Sequence, residues 1–121
     1  MSYELTQGFY FEAAHTLERE VEADSSRRIH GHTYSAEVGV RGMPDKASGM
    51  VIDLGHLREV IARVRDLLDH RMLNEVPGLS NPTLENLCAF LWAAFEKEGV
   101  APSRIVVRRD APGDACTLTR D

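Results

Sequence analysis

The feature that most constrains the fold of this chain is a two-residue alternation in two stretches near its start. From Tyr3 to His15 the odd positions are mostly apolar, and the even positions are mostly polar or small. A similar alternation runs from His30 to Arg41. Because successive side chains of a strand point to opposite faces of a sheet, each stretch predicts a half-buried β-strand. The sequence therefore predicts two strands that each turn one apolar face towards a core.

Three histidines lie on these apolar faces. His15 ends the first predicted strand, and His30 and His32 begin the second. His30 and His32 point to the same side, and pairing of the two strands can bring His15 beside them. Three neutral imidazoles are a typical ligand set for Zn²⁺, and three protein ligands leave the fourth tetrahedral position to water or substrate. The sequence therefore predicts a reactive zinc site.

Two helices are predicted in the middle of the chain. Asp53 is a suitable N-cap, and apolar residues recur at spacings of three and four from Leu54 to Leu68. A second amphipathic stretch follows Asn81-Pro82-Thr83, which offers further capping residues, and Gly99 is a plausible end for it. Both helices are expected to bury one face and expose the other.

The last two predicted strands cover residues 104–110 and 115–120 and are joined by a turn that contains Pro112 and Gly113. The element order β β α α β β predicts an α+β fold, with a four-stranded antiparallel sheet and two helices on one face. An open sheet of this size leaves two edge strands, and pairing of those edges between subunits would remove them. We therefore expect a homo-oligomer.

Composition and charge narrow the class of protein. With 121 residues the chain is expected to form a single domain over residues 1–121, and its net charge of −5 provides no general positive field for nucleic acid. The longest apolar run, Leu87 to Phe95, is too short to span a bilayer. The two cysteines are widely spaced, and the first residues lack a basic segment followed by an apolar one. We expect a cytoplasmic protein with no nucleic-acid or membrane partner.

Six short motifs follow one another along the chain. They are Phe11-Glu12-Ala13-Ala14-His15, His30-Gly31-His32-x-Tyr34, Gly49-Met50-Val51-Ile52-Asp53, Leu68-Asp69-His70-x-x-Leu73-Asn74, Pro77-Gly78-Leu79 and Asn81-Pro82-Thr83-x-Glu85-Asn86. In this order they resemble the family of 6-pyruvoyl-tetrahydropterin and 6-carboxy-tetrahydropterin synthases, nearly from end to end. The resemblance implies the tunnelling fold, in which small subunits assemble around a continuous barrel, typically as a hexamer of two stacked trimers. That expectation agrees with the argument from the sheet edges.

The resemblance also implies a zinc enzyme. In the family, histidines that match His15, His30 and His32 hold Zn²⁺, which binds the hydroxylated side chain of 7,8-dihydroneopterin triphosphate and lowers the pKa of its hydroxyls. A cysteine thiolate then acts as the base, helped by an Asp and a His that match Asp69 and His70, and triphosphate leaves. The expected activity is that of a carbon–oxygen lyase acting on this compound or a related reduced pterin.

Two positions depart from the family pattern. Ser26 stands where the family has its cysteine, and a hydroxyl is far less acidic than a thiol, whose pKa is about 8.5. Asp110 aligns with a Glu that accepts hydrogen bonds from the amino group and the N3–H of the pterin ring, and Asp is one methylene shorter. Thr83 matches a position near the pterin. The resemblance thus assigns Ser26, Asp69 and His70 to catalysis in a divergent member, and Asp110 and Thr83 to substrate binding.

Two other functions are compatible with the sequence. A non-catalytic paralogue that binds a pterin or a purine would tolerate both Ser26 and Asp110. A zinc hydrolase with another substrate would need a general base beside a metal-bound water, and the sequence offers only Asp69 or His70 for that role.

Overall fold

The computed structural model describes residues 1–17, 20–21, 24 and 27–120. It has five strands: β1 Tyr3–His15, β2 His30–Gly42, β3 Arg71–Met72, β4 Arg104–Arg109 and β5 Asp114–Thr119. They lie side by side in the order β3-β1-β2-β4-β5. The helices are α1 Leu54–Arg65 and α2 Leu84–Lys97, with a 3₁₀ helix at Leu73–Glu75. The α+β class and the predicted long elements are thereby confirmed.

The sheet is mixed rather than the predicted four-stranded antiparallel sheet, because β3 runs parallel to β1. Arg71 pairs with Ala13, and Met72 pairs with Ala14. A strand of two residues has no alternation that a sequence pattern could reveal. Its place depends instead on the preceding His70, which has a φ of +58° and donates its backbone N–H to the Glu12 carbonyl over 2.6 Å. Within the described residues, β3 and β5 are the edges of the sheet.

Both helices pack on one face of the sheet, as predicted, and we call it the helix face. Asp53 caps α1 by accepting the N–H of Gly55 over 2.7 Å. Phe11 and Tyr34 lie on this face in neighbouring strands, and their rings stack with centroids 4.9 Å apart. The other large, fully buried side chains of the core are Phe95, Leu57, Leu68, Leu73, Leu79, Leu87, Leu91, Ile105 and Val38.

The opposite face of the sheet, which we call the open face, exposes Tyr10, Glu12 and Thr33. These residues alternate along β1 and β2 with the buried residues of the helix face, as period two requires. Helix α1 ends at Arg65, three residues earlier than the apolar spacing to Leu68 predicted. Among the described residues, no helix has both the length and the apolar character needed to cross a membrane.

Candidate metal centre and its surroundings

The register of the β1–β2 pair brings the three predicted metal ligands together. His15 lies opposite His30, and Ala13 lies opposite His32. The side chain of His15 is 1% exposed, whereas His30 and His32 are half-buried. The Nε2 atom of His15 is 2.9 Å from that of His30 and 3.1 Å from that of His32. The cluster therefore lies at the end of β1 and the start of β2, at the margin of the apolar core.

A backbone carbonyl determines which nitrogen carries the proton in the His30 ring. His30 Nδ1 is 2.7 Å from the Arg28 carbonyl oxygen, which can only accept, so this nitrogen is the donor. The Nε2 atom of neutral His30 therefore carries a lone pair, which faces His15 Nε2 over 2.9 Å. A proton on His15 Nε2 would make this contact a hydrogen bond, and a cation between the rings would take the place of that proton.

The electrostatic surroundings favour the neutral form of His15 and His32. Burial, followed by the neighbouring His30 and His32, lowers the pKa of His15 to about 4. Burial and the Arg109 guanidinium lower the pKa of His32, against a smaller opposing effect of Asp114. Neutral imidazole is the form that binds metal ions. These two rings are therefore in their ligating state at neutral pH.

The distances from His15 Nε2 to the other two rings are close to those of a tetrahedral zinc ion, and all three ligand nitrogens lie within 4.8 Å of one another. With Zn–N bonds of about 2.0–2.1 Å, the ligand nitrogens of such a site lie roughly 3.3 Å apart. The distances of 2.9 and 3.1 Å from His15 Nε2 are close to that value. Within the described part of the chain, the cluster contains no Cys, Asp or Glu as a fourth ligand. The residues present therefore fit zinc with one position left for water or a substrate oxygen.

The first turn of α2 borders the cluster. Pro82, whose carbonyl contacts His15, immediately precedes Thr83. The Thr83 hydroxyl oxygen accepts the backbone N–H of Asn86 over 3.1 Å and caps the helix. Its hydroxyl hydrogen remains available to a ligand. Thr83 is thus close to the histidines, as its predicted role in substrate binding requires.

Asp69 and His70 form a hydrogen-bonded pair, but they lie near the open face. Asp69 Oδ2 is 2.8 Å from His70 Nδ1, and Asp69 Oδ1 accepts the backbone N–H of Glu12 over 2.9 Å. That hydrogen bond is the largest influence lowering the pKa of Asp69. The carboxylate of Glu12, which points away from the neighbouring Ala13 and His15, lies 4.0 Å from His70 Nε2. One chain therefore presents this pair on the side of the sheet opposite the histidine cluster.

Asp110 follows β4 in an exposed turn. Its Oδ2 accepts the hydroxyl of Ser35 over 2.6 Å, and Ser35 alternates with Tyr34 and so faces the open side. The structure does not bring Asp110 onto the helix face with His15. Ser26 lies outside the described residues.

Comparison with known proteins places this geometry in a family. The sequence profile of 6-pyruvoyl tetrahydropterin synthase matches residues 4–121, which is nearly the whole chain. The chain belongs to this family. It is 36% identical over 104 residues to dihydroneopterin monophosphate aldolase of Pyrococcus furiosus, which covers 86% of this chain and 74% of the relative. It is 37% identical over 97 residues to 6-carboxy-5,6,7,8-tetrahydropterin synthase of Synechocystis sp., with coverage of 76% and 74%.

The fold agrees with this family membership. The structure of 6-pyruvoyl tetrahydropterin synthase from Caenorhabditis elegans superimposes with a TM-score of 0.81 at 24% identity, covering 100% of this chain and 97% of the other. The 6-pyruvoyl tetrahydropterin synthase of Plasmodium vivax has the same fold, with a TM-score of 0.72 at 18% identity. The chain therefore adopts the tunnelling fold of this family, with one mixed, open sheet.

Sequence reasoning missed three residues, two beside the cluster and one beside the Asp69–His70 pair. The Tyr34 phenol oxygen lies 3.3 Å from His15 Nδ1, although the alternation indicates only a core residue. Glu12, on the polar side of the β1 alternation, adjoins the Asp69–His70 pair. Arg109 shares the helix face with Val107. A charged residue at an otherwise apolar position of an alternating strand is a sequence signal of a functional side chain.

Proposed function

We propose that this protein is a zinc-dependent enzyme that acts on a reduced pterin with a phosphorylated polyol side chain, such as 7,8-dihydroneopterin triphosphate. The observation that carries the proposal is the convergence of three imidazoles, in which His15 Nε2 lies 2.9 Å from His30 Nε2 and 3.1 Å from His32 Nε2. A zinc ion held by these residues would bind the side-chain hydroxyls and lower their pKa. Membership of a pterin-enzyme family supports the class of substrate.

The remaining site residues have distinct roles in this proposal. Because Asp110 does not share the helix face with the cluster of its own chain, Asp110 of a neighbouring copy would exchange its bond from Ser35 for the two adjacent N–H donors of the pterin ring, which a carboxylate accepts as a fork. Thr83, beside the cluster, would donate its hydroxyl hydrogen to the substrate. Asp69 orients the imidazole of His70 through Nδ1, which leaves Nε2 to carry protons.

The separation of the histidine cluster from the Asp69–His70 pair supports an oligomeric enzyme. The histidine cluster opens from the helix face, whereas Asp69 and His70 are reached from the open face. A second copy that docks its Asp69–His70 pair against the cluster would complete the site. Pairing of the edge strands β3 and β5 between copies would produce such an assembly, and the predicted form is a hexamer of two trimers.

The free thiols of Cys88 and Cys116 support the expected location in the reducing cytoplasm.

Two reactions on this class of substrate are distinguishable. Loss of triphosphate needs removal of a proton from carbon, for which the predicted base at position 26 is only a serine. Aldol cleavage begins instead with loss of a proton from a hydroxyl, and a metal-bound hydroxyl is already acidic. The 36% identity to dihydroneopterin monophosphate aldolase over 86% of the chain favours the second reaction. We therefore include the monophosphate as a substrate and carbon–carbon cleavage as the second candidate reaction.

The test is a product analysis of the zinc-loaded protein with each phosphorylated dihydroneopterin. Release of triphosphate indicates the lyase, and release of glycolaldehyde phosphate with 6-hydroxymethyl-7,8-dihydropterin indicates the aldolase. Metal-free protein and a His30→Ala variant should release neither. Tight pterin binding without any product would support the non-catalytic paralogue. A Ser26→Cys variant that gained triphosphate release would show that the synthase lacked only its base.

A further inference from the structure

Arg109 occupies an unusual position for a charged residue. It continues the alternation of Ile105 and Val107 on the helix face, and the sheet register places it directly beside Tyr34 of β2. Its side chain is only 13% exposed. Tyr34 in turn contacts His15. The guanidinium is therefore buried at the end of the sheet that holds the histidine cluster.

The hydrogen bonds of this guanidinium are incomplete. Asp114 Oδ2 accepts from Arg109 Nη2 over 2.6 Å, across the β4–β5 pair. The buried Nε–H of Arg109 has no partner among the described residues. Arg104 also has an unpartnered Nε, but two carboxylates, those of Glu4 and Glu37, surround its guanidinium near the opposite end of β4. Arg109 is the arginine that combines burial, an unpartnered donor and proximity to the cluster.

The charge of the site calls for an anionic ligand. The Arg109 guanidinium acts to lower the pKa of His15, His32 and Tyr34, so its field reaches two of the three histidines of the cluster. A dication held by three neutral rings would keep its full charge of +2. The carboxylate of Asp114 only balances Arg109 itself. A ligand that carries negative oxygens would offset the remaining charge.

We propose that Arg109 binds the phosphate group of the substrate held at the histidine cluster. This inference rests on the proposed function and adds the residue that selects phosphorylated over unphosphorylated pterins. A guanidinium pairs with phosphate oxygens through two parallel N–H donors, which a neutral amide cannot reproduce. The edge of the ring that carries the amino group and N3–H is an unsuitable partner, since its N–H donors would face the N–H donors of Arg109. Asp114 keeps the guanidinium oriented before the ligand arrives.

The test compares equilibrium binding of three probes to zinc-loaded protein: 7,8-dihydroneopterin, its 3′-monophosphate and its 3′-triphosphate. In the wild-type protein, phosphorylation should tighten binding at least about tenfold, as charge-assisted hydrogen bonds do. Arg109→Gln should lose most of this ratio of phosphorylated to unphosphorylated affinity, while its affinity for 7,8-dihydroneopterin itself should change less than about twofold. Arg109→Lys keeps the charge but not the fork and should recover part of the ratio.

Arg108→Gln is the matched control, because it removes the neighbouring arginine from the open face. It should keep the wild-type ratio. Zinc content and thermal unfolding establish that each variant is folded and loaded before binding is measured. An unchanged ratio in Arg109→Gln would overturn the inference, and so would an equal loss for all three probes. Failure of wild-type protein to bind any of the three would instead overturn the proposed function.

Discussion

Tyr34 is a core side chain that contacts the histidine cluster and can hold the His15 ring in position. Its oxygen lies 3.3 Å from His15 Nδ1, and burial raises the pKa of the phenol to about 12, so it stays protonated. Groups that orient a ligating histidine typically contribute tenfold or more to metal affinity. Tyr34→Phe should therefore weaken zinc binding about tenfold, measured by competition with a chelator.

The control for this prediction is Tyr10→Phe. Tyr10 is 64% exposed, belongs to the same strand as His15 and points to the open face, so its hydroxyl should not affect zinc affinity. Because Phe fills nearly the same volume as Tyr, both variants should remain folded. Equal zinc affinities for the wild type and Tyr34→Phe would show that the Pro82 carbonyl alone orients His15.

His70 is the one non-glycine residue with positive φ in the described part of the chain, at +58°. This conformation costs about 1–2 kcal/mol for a residue with a Cβ atom, whereas glycine adopts it freely. His70→Gly should therefore be more stable than His70→Ala by about 1 kcal/mol in denaturant unfolding, although both variants lose the imidazole and should lose turnover. Equal stabilities of the two variants would contradict the idea that strain is stored at this turn.

At the scale of elements, Glu4 connects β1 to the start of β4. Its carboxylate accepts the Ser103 hydroxyl over 2.6 Å and lies near Arg104 and Arg41. The Ser103 hydrogen bond is the main cause that lowers the pKa of Glu4. A lowered pKa in the folded state stabilises the protein above the unfolded pKa, and this contribution disappears as the pH falls through the folded pKa.

Ser103→Ala should accordingly destabilise the metal-free protein by about 1 kcal/mol at pH 7. The difference from the wild type should shrink below about pH 4, as Glu4 becomes protonated in both proteins. Urea unfolding over a pH series measures this difference. In a Glu4→Gln background the effect of Ser103→Ala should no longer vary with pH in the acid range. A wild-type advantage that persists at pH 3 would argue against the carboxylate as its source.

Sequence patterns predict the helices and strands whose apolar residues recur at regular spacing. They miss elements such as β3, whose place depends on contacts with residues far away along the chain. The alternation of β1 and β2 gave their faces, and with them the meeting of His15 with His30 and His32. The two residues of β3 pair with residues of β1 that lie 58 positions earlier in the chain, and they do so only because the His70 turn brings them there. Tyr34 and Arg109 occupy apolar positions in the alternation of their strands, so the sequence pattern alone predicts no partner for their polar atoms. The register of the sheet, which places them side by side, shows where those atoms lie.

At the scale of the whole molecule, the histidine cluster and the Asp69–His70 pair, the two groups of predicted site residues, lie on opposite sides of the sheet. The alternation that places Ala13 and His15 on the helix face necessarily places Glu12 on the open face, and Glu12 anchors Asp69 through its backbone. No rotation of a side chain can move a group through a paired sheet. A reaction that needs both groups therefore needs two copies of the chain, and the open strands β3 and β5 offer surfaces for their pairing.

Subunit mixing tests this arrangement directly. His30→Ala removes a metal ligand, and His70→Ala removes the predicted proton carrier, so each homo-oligomer should be inactive. If every site takes its histidine cluster from one copy and its His70 from a neighbour, random reassembly of equal amounts leaves about one site in four intact. Co-expressed and co-purified mixed oligomers should then regain about a quarter of wild-type turnover. Separately purified oligomers combined without exchange of subunits are the control and should stay inactive. Continued inactivity of verified mixed oligomers would place both groups in a single-chain site, which the paired β1 and β2 strands do not permit without rearrangement.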